Sequence, residues 1–176
     1  MSIPSIIASK VLIERHNLDP RHAEPLALVF ERCIVQQVPS ERVICDEGGS
    51  AAELFILLTG RVGVRKKDYQ GVSKDLAEMK APAVFGHMAL VGKSLRTATC
   101  YARTDCQIAW LGHKLFDTLM DEPGDQGKAF RWLVISSMLM QHGKGAREIQ
   151  HLLGHAQRVD IEELEIAKLS ATLHGW

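Results

Sequence analysis

Between Phe85 and Ala98 the chain reads FGHMALVGKSLRTA, and three residues in it could do chemistry. Gly86 has no side chain, so its backbone can approach a bound group closely. A helix opening over Gly86 to Leu90 would present unpaired amide N–H groups and the positive end of its dipole, a setting that attracts anions. Arg96 adds a planar, permanently charged fork whose N–H groups match the oxygens of a phosphate. His87 stands between them, a base that titrates near neutrality when unperturbed. One glycine-led turn and one arginine are a weak signal alone. Their meaning depends on what holds the two ends in place.

The flanking sequence is rich in short β-type runs. They fall at 33–38, 42–45, 54–58, 61–66, 73–79, 97–103 and 106–111, separated by PSER, DEGGSA, TG, DYQG, KAPA and TDCQ. Phe85 and Gly86 read as the end of a further extended stretch. Many short strands at regular spacing predict a sandwich or jelly-roll barrel. Helical patterns lie on both sides. Ile3, Ile6, Ile7, Val11 and Leu12 predict a helix over 4–16. Asp19 can cap a second, with Pro20 at its first position and Leu26, Val29 and Phe30 on its apolar face. After the strands, HKLFDTLM predicts a short helix, and 125–142 a long one behind Pro123. That helix carries two apolar stripes, Phe130, Leu133, Val134 and Ser137 on one side and Trp132, Ile135 and Leu139 on another. A helix apolar all round is buried on two sides, either within one core or between the barrel and a second copy of the chain. Weaker helices are expected around 146–157 and 160–173.

The 176 residues carry 21 Lys+Arg against 21 Asp+Glu, so the net formal charge is zero. A strongly basic nucleic-acid surface is not expected from that balance. The longest apolar run, WLVISSMLM, is too short to span a bilayer. The start MSIPSIIASKVLIERH lacks the features of a secretory signal, and the cytoplasm is the default compartment. Cys33, Cys45, Cys100 and Cys106 form no C-x-x-C pair and read as reduced residues of core or sheet. No metal site is expected. His151 and His155 share an i,i+4 spacing but lack the glutamate of H-E-x-x-H, and Gly154 weakens the helix they need. A metal-dependent cupin would need several clustered ligands; His87 is the sole histidine between Cys33 and Leu111. No catalytic residues are assigned, and no enzyme is expected.

Two stretches together resemble the cyclic nucleotide-binding domain family, which includes catabolite activator proteins, kinase regulatory subunits and gated channels. The early stretch is EGGSAAELFILLTGRVGV, with Gly48 and Gly60. The later one is Phe85-Gly86-His87-Met88-Ala89-Leu90, then VGKSL, then Arg96-Thr97-Ala98, against the family pattern F-G-E-[LI]-A-L…R-[ST]-A. The resemblance covers roughly residues 15–142. It implies a mostly-β fold with flanking helices, a jelly-roll β-roll (double-stranded β-helix). The divisions are N-terminal helices over 1–32, the roll over 33–113 with its cassette at 85–98, a hinge and long helices over 114–145, and a helical tail over 146–176.

The resemblance also implies a ligand, cAMP or cGMP, and no cofactor. Arg96 would pair with the cyclic phosphate, Gly86 and the backbone N–H groups near Met88 and Ala89 would complete the cradle, and Thr97 would add a hydroxyl contact. Thr97 leans toward cGMP on this reading, although threonine is also an ordinary strand residue. His87 departs from the pattern, standing where the family's glutamate accepts the ribose 2′-OH. Three readings of it stay open. A neutral ring could accept from that hydroxyl, an imidazolium could lean on the phosphate, or His87 could be a tolerated replacement in a pocket that has changed or lost its ligand. The expected function is a sensor or regulatory module that signals through its C-terminal helices to an unknown protein partner, with a homodimer through residues 130–140. The alternative is a ligand-free dimerisation or docking module. About thirty residues follow Gly145, with Arg147, Arg158 and Lys168 their strong cations, and DIEELEIAKL begins acidic; DNA binding is therefore not expected.

Overall fold

The computed structural model describes residues 3–91 and 94–141. Helix α1 (Ile3–Arg15) leads into a 3-10 turn, Pro20–His22, and then helix α2 (Ala23–Glu31). Asp19 caps the turn as expected, its Oδ1 accepting the amide of Arg21 at 2.9 Å. Pro20 thus opens the 3-10 turn, and the α-helix begins only at Ala23. The inward face of α1 differs from the aliphatic stripe. Ser5, Ala8, Ser9, Leu12 and Ile13 are buried, while Ile7 is 56% exposed. Small residues let α1 come close to its neighbours, and Ser9 satisfies its hydroxyl by donating to the Ile6 carbonyl at 2.9 Å.

Eight strands follow: β1 (Ile34–Val38), β2 (Val43–Cys45), β3 (Glu53–Thr59), β4 (Arg61–Lys67), β5 (Ser73–Lys80), β6 (Ala83–Phe85), β7 (Thr99–Ala102) and β8 (Cys106–Gly112). Helix α3 (His87–Val91) lies between β6 and β7. Helices α4 (His113–Asp121) and α5 (Asp125–Gln141) follow β8. The strands pair antiparallel in two four-stranded sheets, ordered β1-β8-β3-β6 and β2-β7-β4-β5. This is a β-roll with flanking helices, the fold class expected. Seven of its strands match the β-rich runs. The eighth, β6, has three residues and too little sequence to show a period.

Strand β3 shows how the first sheet joins two cores. Alternate side chains on a strand point to opposite faces. Leu54 and Ile56 pack with Leu26, Phe30, Phe116, Phe130 and Leu133 from the helices. Phe55 and Leu57 turn into the roll, against Val62, Phe85, Cys100 and Ile108. Burial on both faces explains the unbroken run LFILL. On the roll side, Phe55 stands opposite Phe85 on β6 and Trp110 on β8. Its ring stacks on Phe85 at 5.0 Å and meets Trp110 edge-on at 4.9 Å.

Helix α5 buries Phe130, Leu133 and Val134 fully, with Ser136 and Ser137 beside them. Its other stripe, Trp132, Ile135 and Leu139, is half-buried. The expected tail over 146–176, with His151 and His155, lies outside the described residues, as does the end of the 114–145 segment. Among the described residues no helix is long and apolar enough to cross a membrane.

The ring of Phe130 lies edge-on to Phe116 at 5.6 Å and is completely enclosed. Phe130→Ala is expected to cost about 3–5 kcal/mol in urea unfolding. Ile7→Ala, on the exposed side of α1, should change stability by no more than about 0.5 kcal/mol. Similar losses for the two would contradict this packing.

Candidate functional site

Three segments converge where β6 ends. Gly86 follows Phe85 and turns the chain into α3 with φ +82°. Glu53 opens β3 alongside. Arg96 arrives on the extended segment before β7, anchored by its own backbone: its carbonyl accepts the Gly48 amide at 2.8 Å, and its amide donates to the Gly49 carbonyl at 2.9 Å. The early glycine-containing stretch and the later arginine are thus one hydrogen-bonded unit.

Arg96 is 5% exposed. Its Nη1 donates to the Gly86 carbonyl at 2.8 Å and its Nη2 to the Glu53 carbonyl at 2.6 Å. The carboxylate of Glu53 stands 3.7 Å from the same Nη2, and the guanidinium lies over the Phe55 ring, 5.1 Å from its centre. A guanidinium carries five N–H donors. The Nε–H of Arg96 is buried and has no acceptor. An enclosed cation with an unused donor is costly unless an anionic acceptor can reach it.

Gly86 is required by this packing. A Cβ there would lie 2.7 Å from Arg96 Nη1, 2.9 Å from Phe55 Cδ2 and 3.3 Å from the Glu53 carbonyl oxygen. The backbone conformation is also one that favours glycine.

The other expected residues are distributed as follows. Met88 is half-buried and Ala89 buried in the single turn of α3; their amides, in its first residues, have no carbonyl four positions back within the helix. Thr97 is exposed, one residue beyond Arg96. His87 points away from solvent altogether, 0% exposed, and neither ring nitrogen has a hydrogen-bond partner. It lies close enough to His16 for their charges to interact. His16 Nδ1 in turn lies 2.9 Å from the Ser136 hydroxyl on α5. Burial pushes His87 down to about 4. His16 is also brought to about 4, by burial first and then by Arg15 and His87. In this arrangement burial keeps both rings uncharged at neutral pH. The His87 ring is enclosed close to His16, just beyond the end of α1.

Sequence reasoning missed Glu53 and Phe55 as neighbours of the arginine. The Glu53 contact uses a backbone carbonyl, which every residue type offers, so composition could not mark it. The alternation of β3 does place Phe55 on the roll side, and that signal was available.

The model of the cyclic nucleotide-binding domain matches residues 35–123, half of the chain. The chain belongs to the cyclic nucleotide-binding domain family. It is 30% identical over 92 residues to the cAMP-activated global transcriptional regulator CRP of Pasteurella multocida, covering 52% of this chain and 44% of that protein. A cGMP-dependent protein kinase of Drosophila melanogaster is 28% identical over 121 residues, 66% of this chain and 11% of the kinase. The chain therefore spans less than half the length of either relative. Among solved structures, the catabolite activator protein of Thermus thermophilus superposes with a TM-score of 0.60 at 19% identity, over 81% of this chain and 62% of that one. That likeness shows the shared cyclic nucleotide-binding fold.

Two outcomes test the geometry. Gly86→Ala should lose about 1–3 kcal/mol in urea unfolding from strain and contact. Gly71→Ala, at φ +80° with nothing within 4 Å of the added atom, should lose less. Equal losses would remove the contact role of Gly86. For the two histidines, the unfolded chain returns to 6.5 and binds more protons than the folded one as pH falls below that value. Stability should then drop between about pH 6.5 and pH 4, by at most about 1.4 kcal/mol per pH unit for each ring. His87→Leu should flatten that slope, and a slope unchanged in the variant would contradict a neutral buried ring.

Proposed function

We propose that the chain binds a cyclic nucleotide, cAMP or cGMP, at Arg96 and the turn at Gly86, and passes the bound state to a partner through α4 and α5. The observation that carries this reading is Arg96 itself. It is an enclosed guanidinium with an unused Nε–H, held at the start of α3 by two carbonyls and one distant carboxylate. A phosphate can replace neutral carbonyl acceptors with charge-assisted bonds, which are shorter and stronger. The amides of Met88 and Ala89 would add donors from the helix start, and Thr97 a hydroxyl. Relatives named for activation by cAMP and dependence on cGMP support this ligand class.

Occupancy of the site has a direct route to the helices. Helix α3 packs on β3 and on α5, so a ligand that draws α3 toward Arg96 also moves the surface on which α5 rests. The half-buried stripe of Trp132, Ile135 and Leu139 then offers the face through which residues 130–140 meet a second copy. One observation favours the alternative of a ligand-free docking module: the His87 ring is fully enclosed, an arrangement that does not present it to a ribose in place of the carboxylate. Ribose recognition then falls to other groups, and affinity is expected below that of members with the glutamate.

Calorimetry with cAMP and with cGMP tests the proposal, with light scattering on the same samples for oligomeric state. Wild type should bind at least one of them, and Arg96→Ala should weaken binding by about 10- to 100-fold through loss of charged hydrogen bonds. Absence of binding by wild type at millimolar ligand, with a dimer intact in Arg96→Ala, would support the docking module instead.

A further inference from the structure

Cys45 and Cys100 are register partners on adjacent antiparallel strands, β2 and β7. The register shifts between Val43 and Cys45: Val43 opposes Tyr101, while Cys45 opposes the next residue, Cys100. The extra residue, Ile44, makes a bulge, and a bulge re-aims the side chains beyond it. Tyr101 covers the outside of the sheet beneath Arg65 and Arg103. Cys100 and Cys45 instead pack against the inner cluster of Phe55, Phe85 and Val62. The two thiols therefore share one face of the roll. Directly opposed residues on antiparallel strands have Cα atoms about 4.5–5.5 Å apart, within the roughly 4.4–6.8 Å that a disulfide spans. The pairing thus brings the two residues within the range a disulfide bridges.

We propose that Cys45 and Cys100 form a dithiol site that hydrogen peroxide converts to an intramolecular disulfide beside the Arg96 clamp. The remaining cysteines are placed differently. Cys33 donates to the Val29 carbonyl on the helix side, and burial pushes its thiol up to about 12. Cys106 is enclosed and donates to the carbonyls of Arg61 and Thr104. At the pair, the Cys100 thiol holds Cys45 below the ordinary thiol range, and the charge of Arg96 adds to this against the effect of burial. The same interaction and burial raise Cys100. Cys45 is half-buried and Cys100 buried, so peroxide reaches Cys45 first: Cys45 is the nucleophile and Cys100 the resolving thiol.

The chemistry balances with one peroxide. The Cys45 thiolate attacks one peroxide oxygen, the O–O bond breaks, and a sulfenic acid forms while hydroxide leaves and is protonated to water. The Cys100 sulfur then attacks the sulfenic sulfur, the S–OH bond breaks, and the proton of Cys100 leaves with that hydroxide as a second water. Two thiols are oxidised to one disulfide, and one peroxide is reduced to two waters.

The location gives the bond a consequence. Beyond Cys45 the same pairing continues, with the Glu47 amide donating to Thr99 Oγ1 at 3.0 Å, then the two backbone bonds between Gly48, Gly49 and Arg96. A cross-link at the pair would fix the segment that presents Arg96, and would remove a thiolate charge from its vicinity. This second statement rests on the nucleotide reading, whereas formation of the disulfide does not.

The test is peroxide treatment of the purified full chain. The expected result is loss of two of the four free thiols, an intact mass lower by two hydrogens, and a peptide map linking residues 45 and 100. Cys100→Ser should stop at a sulfenic acid on Cys45 that dimedone traps, while Cys33→Ser and Cys106→Ser should cross-link as wild type does. Prior loss of the Cys33 or Cys106 thiol, or a link between other residues, would overturn the proposal. Adding cAMP should slow the reaction in wild type and not in Arg96→Ala. A disulfide that forms with no effect of cAMP or cGMP would sustain the dithiol site and count against the nucleotide reading alone.

Discussion

The guanidinium of Arg96 is the constraint around which this end of the roll is arranged. A permanently charged group buried to this degree must be surrounded by acceptors, because an unpaired buried charge is among the most expensive features a fold can contain. The chain meets that demand with the carbonyls of Gly86 and Glu53, the Glu53 carboxylate and the face of Phe55. Each of these contacts fixes something else. The Gly86 carbonyl is available only because the residue before α3 takes a conformation suited to glycine. The Glu53 carbonyl sets the start of β3, and β3 is the strand shared by both cores. Backbone bonds to Gly48 and Gly49 tie the loop after β2 to the same point. Exchanging the partners of one side chain therefore touches the loop, the strand and the short helix together.

Neutral net charge conceals a pronounced division of charge across the second sheet. On its outer face the Tyr101 ring lies under Arg65, 3.8 Å from the ring centre, and 5.5 Å from Arg103. The phenol donates to Asp75, which also pairs with Arg103, and Glu78 stands 3.5 Å from Arg103. Gly63 opposite makes room, since a Cβ there would lie 2.5 Å from the Tyr101 ring. The cluster around Tyr101 is thus polar and pairs its cations with carboxylates. The interior of the same strands is apolar apart from its thiols. Arg96 is the cation that reaches toward that interior, and its acceptors are mostly uncharged.

The fold was legible where pattern carries physics. Strands buried on both faces gave runs such as LFILL, turn residues punctuated them, and the cassette spelled out Gly86 and Arg96 at a spacing that a short helix and loop must bridge. Legibility failed where burial is decided by neighbours distant in sequence. The inner face of α1 sets Ser5, Ala8 and Ser9 beside Leu12 and Ile13, and those small residues carry little hydrophobic signature because close helix approach rewards small size. His87 was read from its place in a motif, but a motif position does not reveal which way a side chain turns. Its ring is enclosed near His16, which follows α1 and meets Ser136 on α5, and nothing near position 87 in the sequence points to either. Cys45 and Cys100 became a pair only through a bulge that shifts register by one residue.

The aromatic row of Phe85, Phe55 and Trp110 has an optical consequence. Arg96 rests on Phe55, and Phe55 meets Trp110 edge-on, so the indole is one ring removed from the cation. Trp110 is partly enclosed, and its N–H has no partner. Indole emission shifts with the polarity and field around the ring, and a guanidinium that changes partners alters both. The protein thus carries an intrinsic fluorophore near Arg96, distinguishable by substitution from Trp132 on α5 and from Trp176.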